Sequence, residues 1–119
     1  MPDNFEEKIR KAISERKKID EMQFKKYFLD AIDKKPINLM LICRYLIFLK
    51  EKKYCDLLKK ALYKYDDFPG VTDAIISALG ELNFYECYNK IKEIAYSERK
   101  APIINFAAKW ALKKLEEMK

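Results

Sequence analysis

Residues 69–115 read PGVTDAIISALGELNFYECYNKIKEIAYSERKAPIINFAAKWALKKL. Apolar residues recur in it at helical spacing: Ile75, Ala78, Leu79 and Leu82, a turn at Asn83, then Cys87, Ile91, Ile94 and Ala95. Pro102 then restarts the pattern. The residue before a proline is pushed out of the α region, so a helix must stop there. The proline itself suits the first turn of the next helix, where its missing N–H costs nothing. The predicted unit is therefore helix A, tight turn, helix B, stop.

Pro36, Pro69 and Pro102 are evenly placed, since 69 − 36 and 102 − 69 are both 33. Sliding the chain on itself by that step superposes Leu46, Leu79 and Leu112, then Leu49, Leu82 and Leu115, then Tyr45, Ala78 and Ala111. In the second half of the unit Leu58 meets Ile91, Ala61 meets Ile94 and Tyr63 meets Tyr96. One such hairpin cannot bury its apolar stripe alone, whereas stacked neighbours can.

The ALGEL run at 78–82, followed by a short turn and a second apolar helix, resembles the short HEAT-like repeats of α-solenoids, of the phycobilin-lyase type. The resemblance is best over 71–95, fair over 37–65, and covers helix A alone over 102–117. Tetratricopeptide repeats have nearly this length, but Asn83 stands where they carry tyrosine and Lys92 where they carry a small alanine. Ankyrin's TPLH signature is absent. The resemblance implies an all-α fold, a right-handed α-α superhelix of about seven helices. Its parts are a diverged N-terminal hairpin at 3–35, repeats at 36–68 and 69–101, and a C-terminal helix at 102–118.

Helix by helix, Asp3 with Glu6 and Asp20 with Gln23 have the spacing of capping boxes. They open helices expected to end near Arg16 and Lys34, with Phe5, Ile9, Ala12 and Ile13, then Phe24, Tyr27, Phe28, Ala31 and Ile32, turned inward. The third helix, about Pro36–Lys50, is apolar nearly all round and belongs at the centre. The fourth spans about Lys53–Tyr65 and the fifth about Gly70–Leu82. Gly80 costs about 1 kcal/mol relative to alanine inside a helix, which a close helix crossing would explain. Asn83 with Glu86 is expected to cap a sixth helix running to about Ser97. The seventh, about Pro102–Met118, is apolar on more than one face.

The chain has 119 residues, the length of one domain. Two glycines and a single threonine argue against a β protein. The longest apolar run, Ile37–Leu49, is broken by Asn38 and Arg44 and is shorter than the ~20 residues a bilayer span needs. The opening MPDNFEEKIRKA is charged and has no apolar core of a signal peptide, so a cytoplasmic protein without a membrane anchor is expected. Cys43, Cys55 and Cys87 form no CxxC pair, and with no histidine a Cys/His zinc site is excluded; reduced, buried thiols are expected. The net charge of +6 is uneven. Residues 1–60 hold 16 Lys/Arg against 10 Asp/Glu, and residues 61–119 hold 9 against 9.

No catalytic constellation stands out. Histidine is missing, the three serines and one threonine lie in no nucleophile context, and two glycines cannot build a phosphate loop. Asp66-Asp67 reads as a solvated loop or cap. No enzyme, cofactor or metal is expected.

A surface is the better candidate. Opposite the apolar stripe, the fourth helix presents Lys52, Asp56, Lys59 and Tyr63, and the sixth Tyr85, Asn89, Lys92 and Tyr96, each at i, i+4, i+7, i+11. The 33-residue step also sets Lys26, Lys59 and Lys92 in one column. In HEAT-like proteins the B helices line the side where partners bind. The resemblance thus implies a partner-binding face of Lys26, Lys52, Lys59, Tyr63, Tyr85, Asn89, Lys92 and Tyr96. Phe106 and Trp110 are candidates for a second, apolar contact. The expected function is a non-catalytic protein-binding module, an adaptor, scaffold or immunity-type inhibitor. The alternative is nucleic-acid binding through a basic B-helix face, as in HEAT-like proteins that resemble DNA-alkylation-repair glycosylases. A subunit of a larger enzyme, like the HEAT-like phycobilin lyases, is a third reading.

Overall fold

The computed structural model describes residues 4–117. Asp3, the expected cap of the first helix, and Met118, the expected end of the last, lie outside the described residues. The helices are α1 (Asn4–Glu15), α2 (Glu21–Lys34), α3 (Asn38–Leu49), α4 (Cys55–Lys64), α5 (Val71–Glu81), α6 (Tyr88–Ala95) and α7 (Pro102–Glu117). Short 3-10 turns at Lys52–Tyr54 and Tyr85–Cys87 lead into α4 and α6. No strand occurs among the described residues, so the fold is all-α.

Helices α1, α3 and α5 stop in the same way. Arg16, Lys50 and Asn83 adopt the left-handed conformation, with φ of 57°, 54° and 57°. Their N–H groups donate to Ile13, Ile47 and Gly80, and the following N–H groups donate to Ala12, Leu46 and Leu79. This is the Schellman motif, which satisfies carbonyls that a helix end leaves without partners. The three positions lie 34 and 33 residues apart. Only Asn83 announces itself, because arginine and lysine are uncommon in this conformation.

The helix starts partly depart from expectation. Asp20 caps α2 as its spacing predicts, its carboxylate accepting from the Gln23 N–H at 3.0 Å. Pro102 opens α7, but Pro36 and Pro69 stand two residues ahead of α3 and α5. At α5 the start is set instead by Gly70, whose φ of +94° is strained for any residue with a Cβ. The Gly70 N–H donates to Asp73 Oδ1 at 2.5 Å. Buried Thr72 ties the same turn together, accepting from the Phe68 N–H at 2.7 Å and donating to the Tyr65 carbonyl. Asn83 and Glu86 do not cap α6. Asn83 is spent in the Schellman turn, and α6 opens from the 3-10 turn with no side-chain cap.

α1 packs on α3, α3 on α5, and α5 on α7; α2 packs on α3 and α4, α4 on α5, and α6 on α7. The shortest molecular extent, 21 Å of 39 × 30 × 21 Å, accommodates two layers of helices packed 8–10 Å apart. The α5–α7 crossing is close, as Gly80 predicts. A Cβ there would sit 3.1 Å from Ala111 Cβ and 3.2 Å from both Ala111 Cα and Trp110 Cζ3. One continuous apolar core runs from Ile9 to Leu115. Leu46, Leu79 and Leu112 are all buried in it, as are Leu58 with Ile91 and Ala61 with Ile94, the pairs that the 33-residue step superposes.

Candidate partner-binding surface

The aromatic rings divide along the chain. The buried ones, Phe24, Phe28, Tyr45 and Tyr54, all precede residue 60; the exposed ones, Tyr63, Tyr85, Tyr96, Phe106 and Trp110, all follow it. Phe24 lies at the centre of the buried group, with ring centroids 5.9 Å from Phe28, 4.9 Å from Tyr45 and 5.0 Å from Tyr54. Past residue 60 the half-buried rings of Tyr65, Phe68, Phe84 and Tyr88 pack against the edge of the core, and the Trp110 ring borders the α5–α7 crossing.

On the B-helix side, Lys26, Lys52, Asn89 and Lys92 are exposed, and Lys59 is half-buried. Tyr63 and Tyr96, superposed by the repeat, are 56% and 67% exposed. Lys52 and Tyr85 sit on the 3-10 turns and not on α4 and α6, so the i, i+4, i+7, i+11 series loses its first member in both helices. Lys26 and Lys60 line a cleft of about 720 Å³ together with Asp30, Asp33 and the stacked rings of Phe5 and Tyr27 (centroids 4.4 Å apart). Lys59 lies close enough to Cys87 for its charge to favour the thiolate there.

Each exposed tyrosine is held by a neighbour that the spacing argument missed. Lys90 Nζ lies 5.1 Å from the Tyr63 ring centroid and Lys109 Nζ lies 5.6 Å from that of Tyr96. Such cation–π contacts contribute about 0.5–1 kcal/mol at exposed sites. Tyr85 stacks on Tyr88 at 4.9 Å and 12°. Tyr88 in turn donates its hydroxyl to Glu116 at 2.7 Å, and this bond, with some burial, pushes the phenol up to about 12. Tyr88 was legible, being three residues from Tyr85 along the same turn. Lys90 and Lys109 were not, because their partners lie on other helices.

Lys90 is itself fixed. It pairs with Asp66 at 3.2 Å and Glu93 at 3.8 Å, while Lys100 approaches Asp66 at 3.6 Å. Burial raises the Asp66 pKa, but the Lys90 hydrogen bond and the two lysine charges outweigh it and hold the carboxyl below the ordinary range. Asp66 thus links the α4–α5 connection to α6 and to the α6–α7 connection. It also cancels positive charge at the edge of the tyrosine face.

Phe106 and Trp110 lie on another side, the outward face of α5 and α7. Phe106 is 76% exposed and Trp110 37%. With Ile103, Ala107, Asp73 and Ser77 they line a groove of about 330 Å³. Lys114 Nζ lies 5.7 Å from the Trp110 ring centroid and pairs with Glu81 at 3.5 Å.

All three thiols are buried and free. Burial pushes Cys55 and Cys87 up to about 11 and Cys43 higher still, so none carries a thiolate at neutral pH. No three potential metal ligands cluster among the described residues. Among the described residues no helix is long and apolar enough to cross a membrane. The chain matches no protein-family model, no curated protein and no solved structure.

Proposed function

We propose that the chain is a non-catalytic, HEAT-like helical-repeat module that works in the cytoplasm and binds a protein through its B-helix face. The architecture in this reading is a right-handed superhelix. Its support is the recurrence of one Schellman turn at Arg16, Lys50 and Asn83, of the 3-10 entry at Lys52 and Tyr85, and of A-helix contacts that run α1, α3, α5, α7. The single observation that carries the binding role is the set of exposed tyrosines, each already oriented by a lysine or a second ring. An amphipathic ring held in place before binding loses little rotamer freedom on contact, and tyrosine is enriched at interfaces for that reason.

A protein ligand fits better than a nucleic acid. Phosphate binding draws on uncompensated lysines, and here Lys90 is neutralised by Asp66 and Glu93 while residues 61–119 carry no net charge. The nucleic-acid reading rests on the basic B-helix face of Lys26, Lys59 and Lys92 and on the N-terminal charge excess; the cleft that holds Lys26 and Lys60 also holds Asp30 and Asp33. The test is capture from a cell lysate on the immobilised chain, wild type against the Lys59→Glu/Lys92→Glu double variant. Proteins held by wild type and lost by the variant, at equal helix content, support the B face; unchanged capture removes it. A salt titration on labelled duplex and single strand runs beside it. Tight, steeply salt-dependent binding there transfers the proposal to the nucleic-acid reading.

A further inference from the structure

We propose that the outward face of the A-type helices, centred on the α5–α7 groove, is a self-association surface on which a second copy of this chain docks about a two-fold axis. Ile37 just ahead of α3, Met40 on α3, and Ile103, Phe106 and Trp110 on α7 are all exposed. The repeat places them together: Ile103 lies 33 residues after Gly70 and Phe106 33 after Asp73, which in turn lie 33 after Ile37 and Met40. Between the two apolar ridges stand only small or short residues, Gly70 ahead of α5 and Asp73 and Ser77 on it. Met40 Sδ borders Gly70, and Trp110 and Phe106 border Asp73 and Ser77, so the ridges and the trough form one surface.

Its area suits a dimer. With fully exposed large apolar side chains at about 150–250 Å² each, the five leave roughly 500 Å² bare. A standard interface covers about 800 Å² per partner, and in homodimers about 65% of it is apolar, again roughly 500 Å².

The charges favour a second copy over a partner selected by charge. Around the patch both signs are interspersed: Glu6, Asp73, Glu81 and Glu117 among the acids, and Arg10, Arg44, Lys113 and Lys114 among the bases. A two-fold axis pairs a face with itself, which a balanced face tolerates and a face of one sign does not. The shape is self-complementary as well, because the protruding Phe106 ring borders a groove of about 330 Å³, room for the Phe106 ring of the other copy. This surface is separate from the tyrosine face, so either can fail alone.

Trp110 is the only tryptophan and reports on the contact directly. In sedimentation equilibrium the wild-type mass should rise from 14.2 kDa towards twice that value over ~1–100 µM, the weak end of the affinities seen for interfaces of this size. Trp110 emission should shift to the blue over the same range. Phe106→Asp should stay monomeric throughout, with unchanged far-UV circular dichroism and a concentration-independent Trp110 spectrum. Lys59→Glu/Lys92→Glu should associate as wild type does. A wild-type chain that remains at 14.2 kDa at every concentration overturns the proposal and leaves the groove to a different occupant. So does a Phe106→Asp variant that associates normally, or loss of association in the lysine double variant.

Discussion

The two halves of this chain solve the same packing problem with opposite materials. Before residue 60 the helices are spaced by rings: Phe24, Phe28, Tyr45 and Tyr54 fill the interior, and the surface is lysine-rich with a net +6. After it the helices approach on Gly80, Ala78, Ala107, Ala108 and Ala111, the surface is neutral, and five aromatic side chains stand outside. What separates the halves is where aromatic area is spent. In the first the largest share is buried in the core, and in the second Tyr63, Tyr85, Tyr96, Phe106 and Trp110 leave theirs exposed while Tyr65, Phe68, Phe84 and Tyr88 are half-buried.

The largest effect expected from this comparison is in the aromatic half. Phe24→Ala should cost about 3–5 kcal/mol, because it removes a ring with three aromatic neighbours and leaves a cavity. Denaturant unfolding measures it, and a loss below about 1 kcal/mol would mean the first half is not held by its rings. Next comes the close crossing. Gly80→Val puts a branched side chain against the Ala111 backbone, which cannot rotate away, and should cost about 1–3 kcal/mol. A neutral result would show that α5 and α7 have slack.

The smallest effect is the Asp66 link. Its folded pKa is depressed, so its contribution is present above the ordinary carboxyl range and is lost as pH falls through the folded value. Asp66→Asn should therefore be less stable than wild type at neutral pH, by under about 1 kcal/mol because the group is partly exposed. The two melting curves should converge in acid. A difference that persists or grows in acid would mean that the carboxylate acts other than by pairing with Lys90 and Lys100.

Helix number and the inward residues were legible in the sequence, because helical periodicity and proline stops are local signals. So was the Gly80 crossing, because a glycine inside a helix asks for a reason. The helix ends were less legible. Arg16 and Lys50 take the left-handed position without the glycine that marks it, and Asn83 has the chemistry of a cap at either end of a helix and serves only α5. At Gly70 the residue was read as the first of a helix, whereas its positive φ makes it the turn ahead of one. The candidate face was half legible. Period alone exposes Tyr63 and Tyr96, but Lys90 and Lys109 reach them from other helices, and no single-helix pattern contains such pairs.

The most direct test of the account is to lengthen the chain by one unit. A second copy of residues 69–101 inserted after position 101 would set Gly80 against Ala78 of the new helix, the residue that the 33-residue step equates with Ala111. If successive hairpins are related by translation, stability is close to a sum over units and their interfaces. The longer chain should then unfold in a single transition, with more helix and a melting temperature at or above that of the parent. A chain that loses cooperative unfolding, or carries the added 33 residues as unfolded polypeptide, would contradict the repeat and the binding faces built on it.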